Sequence, residues 1–160
     1  MNEKVCNETY SSLRVRDILP QSYPFVFVDN VLDFDPLIKE VTAMKNFEQT
    51  EDFFKGHFPN NPIVPGVILI EAMSQSCILC GYLVNRDVYK VDDDDSYEHL
   101  TLKVDIKFRA KVLPNQQVIL KSRLREYING VTIFNVKSID LVGKTIASGI
   151  VTGYANPKQE

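Results

Sequence analysis

The chain has 160 residues, 44% hydrophobic and 24% charged, with a formal net charge of −3. That is the size and balance of a single globular domain, residues 1–160, with a sizeable core. The charge gives no global reason to expect nucleic acid as a partner, and no apolar run reads as long enough and suitably flanked to span a membrane.

Met1 to Tyr10 is polar and lacks the apolar core of a signal peptide. A cytoplasmic protein is therefore expected, with residues 1–11 flexible. Ser12 to Leu19 reads as a short helix that ends before Tyr23-Pro24, because the residue before proline is pushed out of the helical region. Phe25 to Asp33 is rich in Val and Phe and predicts a buried strand. Ile38 to Phe47 predicts its antiparallel partner across Asp33-Phe34-Asp35-Pro36. Glu51 to Lys55 suggests one helical turn.

Between His57 and Gly66 lie three prolines and two asparagines, so this stretch predicts an irregular loop. Pro65 suits the first turn of a helix, where its missing N–H would be an orphan in any case. Val67 to Val84 is apolar or small with no basic residue, which predicts a helix buried on most sides. Glu71 sits inside it. Burying an ionised carboxylate costs several kcal/mol unless it is paired or stays protonated. The nearest polar group on the same face is Gln75, at i+4. A histidine on the loop feeding that helix and a carboxylate within it form a candidate acid–base pair, as against a core glutamate that only fixes packing register.

Of three cysteines, Cys77 and Cys80 have the spacing of a redox or zinc motif. They lie late in the apolar helix with no second pair, so core packing is the expected role, and no metal site is expected. Residues 86–98 contain Asp92-Asp93-Asp94-Asp95 and predict a mobile acidic loop. From Thr101 to Val112 apolar and polar residues alternate, which predicts a strand with one buried face. Gln117 to Tyr127, Val131 to Leu141 and Thr145 to Tyr154 predict three more, with Asn129-Gly130 as a tight hairpin. Ala147, Gly149 and Gly153 are small residues that permit close backbone approach. The order is two strands, a long apolar helix, then four strands in a meander. A helix apolar all round needs a sheet of about six strands curled around it.

Gly56-His57-Phe58-Pro59, then Pro62, then Pro65-Gly66-Val67, then Glu71-Ala72-Met73-Ser74-Gln75 resembles the signature of the β-hydroxyacyl-[acyl carrier protein] dehydratases of fatty acid synthesis. The resemblance extends back to Leu19-Pro20-Gln21-Ser22-Tyr23-Pro24-Phe25 and forward to Lys107-Phe108-Arg109-Ala110-Lys111-Val112-Leu113-Pro114. Glu71, rather than Asp, makes the chain similar to the general dehydratases and not to the isomerising branch. The resemblance implies an α+β hotdog fold and a site at a homodimer interface, where the His of one subunit faces the Glu of the other. Trimers of dimers also occur in such families. Gln21-Ser22, Asn30, Asn60 and Asn115-Gln116 depart from the usual pattern, and leave open a housekeeping or a specialised role such as polyene or polyketide synthesis.

The chemistry of the residue types agrees. Dehydrating a (3R)-3-hydroxyacyl thioester removes a weakly acidic α-proton and expels hydroxide. Imidazole suits the base, here His57, and a carboxyl kept protonated in an apolar setting suits the acid, here Glu71. The Gly66 amide at the helix N-terminus can polarise the thioester carbonyl. Phe58, Val67 and Gln75 complete the expected substrate-binding set, with Gln75 orienting Glu71. No metal or redox cofactor is required. The resemblance implies that the substrate arrives on the phosphopantetheine of an acyl carrier protein. Carrier proteins are acidic, and Thr101 to Arg125 holds seven basic residues against one acid. Lys107, Arg109 and Lys111 are the candidate docking residues; the alternative is the solvated faces of two strands. Two rival functions remain: a hotdog acyl thioesterase, or a non-catalytic subunit of a hetero-oligomeric dehydratase.

Overall fold

The computed structural model describes residues 8–91 and 97–157. A short helix α1 (Glu8–Ser11) and a 3-10 turn (Val15–Asp17) precede β1 (Asn30–Asp35) and β2 (Glu40–Phe47). A one-turn helix α2 (Phe53–Gly56), the long helix α3 (Gly66–Leu83) and a wider π-type turn (Val84–Tyr89) follow. Four strands close the chain: β3 (Tyr97–Phe108), β4 (Gln116–Ile128), β5 (Val131–Ile139) and β6 (Thr145–Pro157). All pair antiparallel in one sheet, ordered β1-β2-β4-β5-β6-β3.

The core lies between α3 and the concave face of the sheet. Leu69, Ala72, Met73, Leu79 and Leu83 of the helix are buried against Val41, Ala43 and Phe47 of β2, Val118 and Leu120 of β4, and Phe134 and Val136 of β5. Small residues let helix and sheet approach. The Ser76 hydroxyl donates to the Met73 carbonyl and lies 2.5 Å from the Ser122 hydroxyl of β4. Cys77 donates weakly to the same Ser122 oxygen, and Cys80 to the Lys39 carbonyl. Burial pushes both thiols up, Cys80 to about 12, so they are inert packing groups as expected. Register shifts at Val31/Asp33, Thr101/Lys103, Leu124/Glu126 and Ser138/Ile139 bend the strands and help the sheet curl.

Several expectations need correction. The last four strands are not a simple meander: β3 leaves β4 and pairs with β6 at the sheet edge. After β3 the Asn115 N–H donates to the Phe47 carbonyl at the end of β2, so β4 grows along β2 instead. A Cβ on Gly149 of β6 would overlap the Asp105 carbonyl of β3, which is the close approach predicted for that glycine. The face of β3 expected to be buried is covered only in part: Leu102 is 57% and Phe108 44% exposed, whereas Val104, Ile106 and Ala110 are half-buried and Val112 is buried.

The first predicted strand begins at Asn30, since the backbone of Phe25 and Phe27 is engaged by the helix residue Gln75. Ser12–Leu19 keeps only the Val15–Asp17 turn. Residues 8–11, expected to be flexible, are helical, and Tyr10 packs edge-on against Phe34 at 5.9 Å. Residues 86–89, expected in the acidic loop, continue the helix within the π-type turn. There Arg86 pairs with Asp87 and lies over the rings of Tyr10 and Tyr82. Residues 97 and 98 begin β3, and residues 1–7 and 92–96 of those two expectations lie outside the described residues. With its extension the helix runs from Gly66 to Tyr89, long and apolar enough by length and composition to cross a membrane, contrary to expectation. Its burial under the sheet is that of a core helix.

Candidate active site

The loop that carries His57 is pinned at several points. The His57 N–H closes α2 by donating to the Phe53 carbonyl, and the Ile63 N–H donates back to the His57 carbonyl. Phe58 and Asn61 exchange backbone hydrogen bonds, and the Val64 N–H donates to the Val112 carbonyl, just past the end of β3. The imidazole is half-buried. Its Nδ1 lies 3.1 Å from the Ile63 carbonyl, which can only accept, so Nδ1 carries the proton. Nε2 is then the basic nitrogen. The Phe58 ring stacks on the imidazole with centroids 4.2 Å apart.

Glu71 is half-buried rather than buried, because the flank of α3 that carries it faces a cavity and not the sheet. Its Oε1 accepts a hydrogen bond of 2.9 Å from Gln75 Nε2. Gln75 is fully buried and makes two further bonds. Its Oε1 accepts from the Phe27 N–H at 2.7 Å, and Nε2 donates to the Phe25 carbonyl at 3.0 Å. A buried amide with both ends engaged holds one orientation. Gln75 thereby ties the segment before β1 to α3 and clamps one oxygen of Glu71.

The first backbone bonds of α3 run from Ile68 and Leu69 to the Pro65 carbonyl. The Gly66 and Val67 amides therefore precede the helical ladder, where a helix presents N–H groups and the positive end of its dipole. Val67 is 71% exposed. The α-carbon of Gly66 is not open: a Cβ there would stand 3.1 Å from the Phe108 ring, so Phe108 covers this glycine from the edge strand. Lys107 and Arg109 flank Phe108, and Lys111 follows; all three are exposed. Arg109 Nη1 donates to Ser148 Oγ at 2.6 Å. Of the other cations in this basic stretch, Lys121 pairs with Glu40 and Arg125 with Glu126.

A cavity of about 410 Å³ opens between α3 and the sheet. Glu71, Ser74, Cys77 and Ile78 line it from the helix, and Leu124, Phe134 and Val151 from the strands. His57, Phe58, Gly66 and Val67 do not line it. The predicted site residues thus divide within one protomer: Glu71 and Gln75 are joined by a hydrogen bond, while His57 stands on the loop at the head of the helix, outside the cavity that Glu71 faces.

A family model for a FabA-like domain matches residues 19–151. The chain belongs to the FabA-like family. This FabA-like chain is 38% identical over 128 residues to the 3-hydroxyacyl-[acyl-carrier-protein] dehydratase FabZ of Proteus mirabilis (strain HI4320), covering 80% of this chain and 82% of that protein. It is 40% identical over 115 residues to the FabZ dehydratase of Photorhabdus laumondii, covering 72% and 73%. The relationship expected from the His57 to Gln75 motif is borne out. Among solved structures, a chain of the dehydratase heterocomplex ApeI:P from Xenorhabdus doucetiae superposes with TM-score 0.74 at 16% identity, covering 91% of this chain and 93% of that one. A thioesterase of Pseudomonas aeruginosa superposes with TM-score 0.60 at 15% identity, covering 82% of each chain. At such identities these two share the fold.

Two features of the FabA-like site escaped sequence reasoning. Phe108 read as a core residue of a strand, and only strand pairing brings its ring over Gly66. The backbone of Phe25 and Phe27 read as sheet, whereas it serves Gln75. The buried amide at i+4 from Glu71 was the available signal, since a fully buried glutamine needs partners outside its own helix.

Proposed function

We propose that this chain is a hydro-lyase that dehydrates 3-hydroxyacyl-[acyl carrier protein] to the trans-2-enoyl thioester. Its kinship with FabZ dehydratases across most of its length supports that activity. The observation that carries the reading is Glu71, a carboxylate clamped by a buried glutamine on the wall of a cavity, fourteen residues after a loop histidine with a basic Nε2.

His57 Nε2 takes the α-proton while the Gly66 amide stabilises the enolate oxygen. Glu71 gives its proton to the 3-hydroxyl as the C–O bond breaks, and water leaves. Phe58 and Val67 line the thioester side. Every step is proton transfer between side chains and substrate, so the reaction runs without a metal or redox cofactor. The acyl group arrives on phosphopantetheine, and Lys107, Arg109 and Lys111, beside the Phe108–Gly66 contact, receive the acidic carrier. The working unit is a homodimer in which one subunit's His57 meets the other's Glu71. The division of His57 and Glu71 within one protomer and the open apolar edge of β3 support this assembly.

The test is turnover of 3-hydroxyacyl-carrier thioesters, followed by absorbance of the enoyl product. Wild type is expected to turn over, and His57→Ala and Glu71→Gln to fall by roughly 10²-fold or more. Mixing the two inactive variants in equal amounts, with subunit exchange, is expected to restore about a quarter of wild-type activity. Half of the dimers are then mixed, and each mixed dimer has one complete site. Release of free thiol instead of enoyl product would make the chain a thioesterase. Activity that appears only with a second hotdog chain would make it a subunit of a hetero-oligomer.

A further inference from the structure

Among the described residues, Lys45 is the one charged residue that is buried, 8% exposed. A buried ammonium is costly unless anionic partners stand close to it. Lys45 Nζ lies 3.2 Å from Glu51 Oε1 and 3.4 Å from Asp29 Oδ1. The backbone holds each carboxylate in turn. The Asn46 N–H donates to Asp29 Oδ2 at 2.6 Å, and the Glu48 N–H to Glu51 Oε1 at 3.1 Å. These two carboxylates belong to the two segments that support the candidate acid and base. Asp29 follows Phe27, whose N–H donates to Gln75, the clamp on Glu71. Glu51 lies in the turn that opens α2, where its carbonyl accepts from the Phe54 N–H, and α2 ends on His57. Lys45 itself sits on β2, a strand paired on both sides by β1 and β4. One ammonium on a rigid strand thus joins both supports.

We propose that Lys45 is a positioning residue: through Glu51 it holds α2, and with it His57, at a fixed place against the segment that serves Gln75 and Glu71. This rests on the dehydratase reading above and deepens it. Helix α2 is a single turn, too short to be stable alone, so its heading depends on what it is fastened to. The Phe53 ring meets Phe47 of β2 with centroids 6.5 Å apart, and Phe54 is buried. Apolar contact is non-directional and sets how deep α2 lies. The charged contact at Glu51 is directional and sets how α2 is turned. Only six residues lead from Glu51 to His57, so a change in that turn reaches the imidazole. The ring keeps its proton on Nδ1 only while the Ile63 carbonyl stays beside it, and Nε2 is basic for that reason. A shift of about 1 Å at such a group costs on the order of 10²-fold in rate. Lys45 does not itself meet the substrate in this scheme, so its effect falls on kcat.

The test compares wild type with Lys45→Met and with the triple variant Lys45→Met, Asp29→Asn, Glu51→Gln. Lys45→Met strands two carboxylates and loses stability for that reason alone. The triple variant removes the stranded charge and keeps side-chain acceptors for the Asn46 and Glu48 N–H groups. It is expected to regain the wild-type Tm. The first readout needs no substrate: the ring-nitrogen resonances of His57 in isotope-labelled protein, told apart from the other histidine with His99→Gln. Wild type is expected to show the Nδ1–H tautomer alone, and both variants a mixture of tautomers. The second readout is turnover of a 3-hydroxyacyl-carrier thioester. In both variants kcat is expected to fall by roughly tenfold or more while KM stays within about twofold. Recovery of kcat together with Tm in the triple variant overturns the proposal, since charge balance would then be the whole role of Lys45. A wild-type His57 spectrum in the variants overturns it as well. Loss of the fold in both variants also overturns it, because the role would then be structural. Failure of wild type to turn over the hydroxyacyl thioester sinks the dehydratase reading alone, and the histidine spectrum then decides whether Lys45 positions His57.

Discussion

Replacing Gln75 with Met tests the clamp on Glu71 most directly. Methionine has nearly the same length and shape, so the cavity term is small. What changes is hydrogen bonding. The buried Phe27 N–H loses an acceptor at 2.7 Å, which costs about 2 kcal/mol. The Phe25 carbonyl and Glu71 each lose a donor, but Phe25 is exposed and Glu71 half-exposed, so water replaces much of both. The total is about 3 kcal/mol, which for a domain of this size lowers Tm by roughly 6–12 °C. Calorimetry at one fixed protein concentration reads it, because self-association would link stability to concentration. Activity is expected to fall as well, chiefly in kcat, since the carboxyl loses its orientation. Gln75→Glu separates the contributions. It keeps an acceptor for Phe27 but sets a second carboxyl against Glu71, and the two cannot both ionise cheaply. One carboxyl of that pair then has a folded-state pKa above its unfolded value. Its contribution is complete at low pH and is lost as pH rises through the carboxylate range. Gln75→Met within about 0.5 kcal/mol of wild type and with full kcat would refute the reasoning.

Other perturbations address the rest of the frame. Cys77 and Cys80 should resist alkylation at pH 8 in the folded protein, by peptide mass mapping; rapid labelling of either would contradict their burial. Their folded thiols titrate above the ordinary 9.0, so the unfolded chain releases protons first as pH rises. Stability is expected to decline from about pH 9 upward, by about 1.4 kcal/mol per pH unit for each thiol, in denaturant titrations at stepped pH. Gly149→Ala should cost about 3 kcal/mol or prevent folding, because the new Cβ overlaps the Asp105 backbone. Gly153→Ala should cost less, since its neighbour at 3.0 Å is the side chain of Thr132; equal thermal shifts in the two variants would count against the strand-contact argument. Charge reversal at Lys107, Arg109 and Lys111 together should raise KM for the carrier-bound substrate while sparing a pantetheine thioester. Equal loss on both substrates would remove these residues from docking.

Much of the fold and of the candidate site could be read along the chain, because the relevant interactions there are local. Proline spacing marks the loop, the apolar run marks α3, and Asn129-Gly130 marks a hairpin whose two residues do take positive φ, 50° and 82°. Period-two alternation marks β3, though not which neighbour covers it. His57, Gly66, Glu71 and Gln75 lie within nineteen consecutive residues, so their spacing was visible before any folding. What was hidden depends on contacts between distant segments. No local pattern says that β3 will pair with β6, that Phe108 will cover Gly66, or that Gln75 will take Phe25 and Phe27 out of the sheet. Periodicity and turn chemistry act over a few residues and so set the elements. Strand order, the satisfaction of buried polar groups and the placing of a cavity depend on which surfaces exclude water together, and that is decided only in the folded chain.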